Sequence, residues 1–252
     1  MGDWNTLHFF NDKHFYEKVV PDLKGKGDLL KKYFYSQLSK YLLFHNDNDE
    51  KRIDAILEYC HFFDDEFKRH EVLYEIESRN KKPDEEYSKF MEQWRHDLQA
   101  FHNKNSPTFD DLSIILTLIV FSECAAFNPH FILGRRVFSE NVGAKPKSIT
   151  EVIISQINNS PLGSTHSYGS GIMNWITSED VKLLWLDRDN LLPTGSEEYF
   201  NDFLKFIEIV VENDLGVVSG TNMRESILKL IENPNVNIEV DIEKLGLQNV
   251  II

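Results

Sequence analysis

Residues 112–121, LSIILTLIVF, are the longest apolar run in the chain, and more than any other stretch they limit what it can fold into. The run is about half of the ~20 residues a helix needs to cross a bilayer, and it ends in Ser122 and Glu123. A helix that is apolar nearly all round needs cover on every side, which places it in the middle of the fold. Thr108 stands where a cap belongs, and Asp110 with Asp111 suit the positive end of the helix dipole.

The segments before it read as amphipathic helices. Leu30, Phe34, Leu38, Tyr41 and Leu42 recur at helical spacing after Gly27, and Ile53, Ile56, Leu57, Cys60 and Phe63 do so in the next stretch. PDEEYSKFMEQWRHDLQAFH opens with Pro83 and three acids, and aligns Tyr87, Phe90, Met91, Trp94, Leu98 and Phe101 in one stripe. After the central run, SITE (148–151) and TSED (177–180) have capping-box spacing, Ser196 caps a helix ending near Gly216, and a last helix spans about 222–232. Short strands fit at 131–133, 172–176 and 236–240. The expected fold is mainly α: one compact helical domain over 1–252, with lobes 1–105 and 106–252 and a minor β element in the C-terminal half.

The chain carries 27 basic and 41 acidic side chains, a formal charge of −14, with no dense basic cluster. A phosphate backbone is repelled by such a surface, so nucleic acid is excluded as a partner, and no segment suits a membrane. Cys60 and Cys124 both fall inside apolar helical patterns and offer neither a disulfide framework nor zinc spacing. No basic stretch followed by an apolar one opens the chain, so the expected compartment is cytoplasmic.

Catalytic templates fail one by one. SPLGSTHSYGSG (160–171) is rich in glycine and serine, yet Gly169 and Gly171 flank Ser170 directly, whereas a nucleophile elbow needs them two residues away. The loop has no lysine for a P-loop, and Gly163, Gly169 and Gly171 miss the dinucleotide spacing. His70-Glu71 is followed by Tyr74 where a zincin needs its second histidine. DNDE (47–50) starts like a calcium loop but has Arg52 at the sixth position instead of glycine. GVVSGTN (216–222) offers amides for an anion if it precedes a helix, or a capped turn. No cofactor and no metal are expected.

One feature survives. Residues 177–216 hold ten acids (Glu179, Asp180, Asp187, Asp189, Glu197, Glu198, Asp202, Glu208, Glu212, Asp214) against three bases (Lys182, Arg188, Lys205), so half of the excess charge sits there. Acids interleaved with aromatics capture basic partners, because complementary fields speed encounter and aromatics anchor the contact. Trp185, Asp187, Asp189, Glu197, Glu198, Tyr199 and Asp202 are therefore candidate partner-binding residues, with His166 and Tyr168 as a contact loop. A hydrolase or transferase with its site near the 160–171 loop, assembled from His166, Ser170 and Asp180, is the alternative.

In its whole-chain character, with GDWNT at its start and ITSEDVKLLWLDRDNLLP further on, the chain resembles the immunity proteins that bacteria make against polymorphic and other antibacterial toxins. The resemblance implies a protein that binds a cognate, basic toxin or effector and blocks it by direct contact.

Overall fold

The apolar run does form a long helix, and it packs between other helices and a sheet. The computed structural model describes residues 5–60, 106–133, 140–158, 171–231 and 250–251, and the helical positions 85, 88, 89, 92, 93 and 96. The chain begins with strand β1 (Asn5–Phe10), short helices α1 (Asp12–His14) and α2 (Val20–Lys24) joined by a π-helical turn at Phe15–Val19, then α3 (Asp28–Phe34), a 3-10 turn at Ser39–Tyr41 and α4 (Asp49–Cys60). The apolar helix α5 (Ser106–Glu123) leads into β2 (Ala125–Ile132), β3 (Val142–Ala144), α6 (Ile149–Asn158) and β4 (Gly171–Ile176). There follow α7 (Ser178–Leu186), a 3-10 turn at Arg188–Asn190, β5 (Leu191–Pro193), α8 (Glu197–Glu212), β6 (Gly216–Thr221), α9 (Glu225–Leu228) and β7 (Val250–Ile251).

The expectation of a mainly α protein is overturned: the fold is mixed α/β. Five strands form one antiparallel sheet in the order β4-β6-β1-β2-β7, and β3 pairs with β5 in a two-stranded ribbon. Helices cover both faces of the large sheet. Phe10, Ile172, Trp175 and Val218 join the apolar residues of α3, α4 and α5 in one core, while Leu7, Phe9, Ile176 and Val217 join those of α6, α7 and α8 in the other. A strand buried on both faces shows no alternation of apolar and polar residues, so TLHFF at Thr6–Phe10 carries no period-2 signal.

Strands β1 and β6 were the elements hidden in the sequence. GVVSGT is a ladder strand between β1 and β4, so its amides are spent on pairing and hold no anion. The left-handed residue after α8 is Asp214 (φ 53°), and Gly216 serves another purpose: a Cβ there would stand 2.4 Å from the Ile176 carbonyl oxygen. The expected strands at 131–133 and 172–176 fall within or beside β2 and β4; the one at 236–240 and the helix begun by Pro83 lie outside the described residues. β1, from the first of the two expected lobes, pairs on either side with strands of the second.

Three caps are where the sequence expected them, but Thr108 is not one: α5 already starts at Ser106, so Thr108 lies within its first turn. Thr177 and Asp180 form a reciprocal box at the start of α7, Ser148 accepts the Glu151 amide at 3.1 Å, and Ser196 accepts the Tyr199 amide at 3.3 Å. The acids at 49 and 111 are not solvated decoration. Arg52 grips Asp111 with two hydrogen bonds of 2.7 Å, and its remaining nitrogen donates to Asp49 at 2.7 Å and to the Phe44 carbonyl at 2.8 Å. Its charge thereby ties α4 to α5.

Two histidines sit opposite each other in the middle of the sheet, His8 in β1 and His130 in β2, with ring centroids 5.2 Å apart. A carbonyl only accepts, so His8 donates from Nδ1 to the Phe127 oxygen (2.8 Å) and its Nε2 accepts from the Thr6 hydroxyl (2.8 Å). Burial, and then His130, pull the His8 pKa from 6.5 down to about 3, and burial lowers that of His130 as well. Both rings are thus held neutral in the fold. An unfolded histidine takes up its proton as the pH drops below about 6.5 while buried His8 does not, so stability is full above that pH and is lost as it falls toward 3.

Two outcomes are expected. The urea midpoint should fall between pH 7.5 and 4.5, with His8 contributing about 1.4 kcal/mol per pH unit below 6.5, and His8→Phe should flatten that slope; a slope unchanged by the substitution refutes the assignment. Asp111→Ala should cost about 1.5–3 kcal/mol in denaturant unfolding, because Arg52 loses its two-bond partner on α5 and keeps only Asp49 and the Phe44 carbonyl.

Candidate partner-binding surface

Helices α7 and α8 pack against each other, and one lysine ties them together. Lys182, in α7, donates to Glu179 and to Asp214 just beyond α8, each at 2.8 Å, and Lys13 also bonds Asp214. The Arg188–Asn190 turn and β5 connect the two helices.

The candidate residues of this region separate by burial. Asp189, Glu197 and Glu198 are exposed. Trp185 is half-buried, with the Arg188 guanidinium over its indole at 4.6 Å. Asp187 is an internal strut: it accepts the Thr150 hydroxyl and the Asn190 amide, each at 2.7 Å, and the Thr150 bond foremost holds its carboxyl below the usual range. Tyr199, expected to be exposed, is buried at 4% exposure; its hydroxyl donates to the Ile132 carbonyl at 2.7 Å, and burial raises its pKa. Asp202 is equally buried. Their period along α8 explains the correction, since 199, 202, 203, 206 and 210 share the face that packs on the sheet. His166, Tyr168 and Ser170 lie outside the described residues, and Asp180 is committed to its capping box with Thr177.

Exposed leucines stand where no candidate was named. Leu183 and Leu186, one turn apart on α7, are 43% and 78% exposed, and Leu192 on β5 is 37% exposed. The signal was present in the sequence. Val181 and Leu184 fill the buried stripe of α7, so Leu183 and Leu186 make its apolar set too wide for one face.

Among the acids and bases near these leucines, the bases are engaged. Arg188 donates to the Trp185 carbonyl at 2.8 Å, Lys145 to the Asp189 carbonyl at 3.1 Å, and Lys182 is held by two carboxylates. What this segment leaves exposed is Leu183, Leu186 and Leu192 together with Asp189, Glu197 and Glu198. Such a surface can bind a basic amphipathic segment; it holds no nucleophile paired with a base. Among the described residues no group of three or more histidine, cysteine or acidic side chains could hold a metal ion, and no helix is long and apolar enough to cross a membrane. Comparisons with protein-family models, curated proteins and solved structures returned no match.

The acids differ in what their removal does. Asp187→Ala should lower stability by about 1–2 kcal/mol by unpairing Thr150 and Asn190, whereas Asp189→Ala should change it by less than about 0.5 kcal/mol; thermal unfolding of the two variants side by side checks this.

Proposed function

We propose that this chain is an acidic binding protein that neutralises a cognate toxin or effector by direct contact, with α7, the 188–190 turn and the start of α8 as the contact surface. The observation that carries the reading is the exposed Leu183–Leu186 ridge, set among carboxylates that face solvent while the neighbouring cations are already engaged. Apolar side chains left in water beside unspent charge favour a partner of opposite sign, which gains area from the leucines and speed from the field. The working partner is a basic protein segment. The net charge of −14 supports the same sign of partner and argues against self-association through this face.

The test uses the tagged full chain to capture a stoichiometric partner from its own cells, followed by kinetics and by assay of the partner's activity. Asp189→Lys, Glu197→Lys and Glu198→Lys together should slow association roughly tenfold at low salt and much less at high salt, as screening requires. Leu186→Asp should instead speed dissociation and release the partner's activity. Wild-type kinetics and full neutralisation by both variants would sink the proposal.

A further inference from the structure

On the other side of the sheet, a pocket of about 40 Å³ opens between α5, the chain after the Ser39–Tyr41 turn, and Met223–Leu228. Its walls are the apolar side chains of Leu42, Ile114, Met223, Ile227 and Leu228, with Ser113, Thr117 and Arg224 as polar residues. Gly171 closes one side at φ 123°, a conformation that disfavours any side chain there. The Thr117 hydroxyl donates its proton to the Ser113 carbonyl at 2.8 Å, so the guanidinium is the strong donor at the mouth. Arg224 is exposed and makes no side-chain hydrogen bond or ion pair among the described residues, while neighbouring Lys229 is paired with Glu225. The pocket is thus an apolar recess with one unspent positive charge, on a chain that is acidic overall.

We propose that this pocket binds a branched aliphatic carboxylate, the alkyl group among Leu42, Ile114, Met223 and Ile227 and the carboxylate on Arg224. Size decides the class. Ligand pockets for sugars or nucleotides run to about 300–1,000 Å³, and a single water needs about 10–15 Å³, so this one suits an alkyl group of about three or four carbons. Guanidinium matches carboxylate with two parallel hydrogen bonds, which a hydroxyl cannot accept in the same way. The same chemistry is carried by a free short-chain acid and by the terminal leucine or valine of a peptide.

Methyl-resolved NMR of the full chain tests the proposal with 3-methylbutanoate, 3-methylbutanol and acetyl-glycyl-leucine as probes. Saturable shifts of the Met223, Ile114 and Ile227 methyls are expected with both acids, and the alcohol should bind roughly tenfold more weakly than 3-methylbutanoate. Arg224→Gln, an exposed substitution that leaves the fold intact, should bring the acid down to the alcohol's level without changing the alcohol. Ile114→Trp should abolish both. Tighter binding of the peptide acid makes a chain terminus the source, and tighter binding of 3-methylbutanoate makes it a free metabolite. Absence of saturable methyl shifts with either acid, or an Arg224→Gln variant that binds acid as tightly as wild type, overturns the proposal.

Discussion

Strand β1 is the constraint on which the rest of the structure depends. It pairs with β6 along one edge and β2 along the other, so six residues near the amino terminus join the two halves of a five-stranded sheet. Leu7 and Phe9 point into one core, and Phe10 into the other. With helices on both faces, an antiparallel sheet loses the wet side it commonly keeps, and every polar group in it needs an internal partner. His8 and Thr6 answer that need together, through each other and through the Phe127 carbonyl. The β1–β2 register shifts between His8 and Phe10, and Pro129, which has no amide to donate, lies in the stretch of β2 that the shift leaves unpaired.

Buried or half-buried carboxylates lock the helices and turns around this sheet to one another. Asp111 and Asp49 receive Arg52; Glu123, at the end of α5, receives Lys32 at 3.0 Å and the Tyr33 hydroxyl from α3; Asp12 accepts the Ser178 amide at 3.0 Å and ties the start of the chain to α7. Asp187 does the same for α6 and the 188–190 turn. A chain with a large excess of acid thus spends a share of it on struts, where each carboxylate gains charged or multiple hydrogen bonds in place of water. Only what remains is available to a partner.

That remainder gives the two faces of the sheet different surfaces. The α7–α8 segment leaves leucines and acids exposed; on the α5 side lies a small apolar recess with a guanidinium that has no partner among the described residues. The first suits a basic protein segment and the second a small anion with an alkyl group, and the chemistry of each follows from which charges the fold has left unpaired.

Local chemistry was legible in the residues themselves. The caps at Thr177, Ser148 and Ser196, the central burial of 112–121 and the periodic helix at 49–60 follow from interactions within a few residues, and these need no knowledge of the rest of the chain. The helical spacing from Leu30 to Leu42 was misleading: the helix ends at Phe34, a separate 3-10 turn follows at Ser39–Tyr41, and Tyr41 is exposed. The concentration of acid over 177–216 is likewise a property of composition. The sheet was not legible, because strand pairing joins residues far apart, and burial on both faces erases the alternation that marks a strand. Nor was the division of the acids: Asp187, Asp189 and Asp202 are the same residue type in the same stretch, yet one is a strut, one is exposed and one is buried. A side chain's charge is written in the sequence, but whether that charge is spent inside or offered to a partner depends on which neighbours the tertiary structure brings within hydrogen-bond reach.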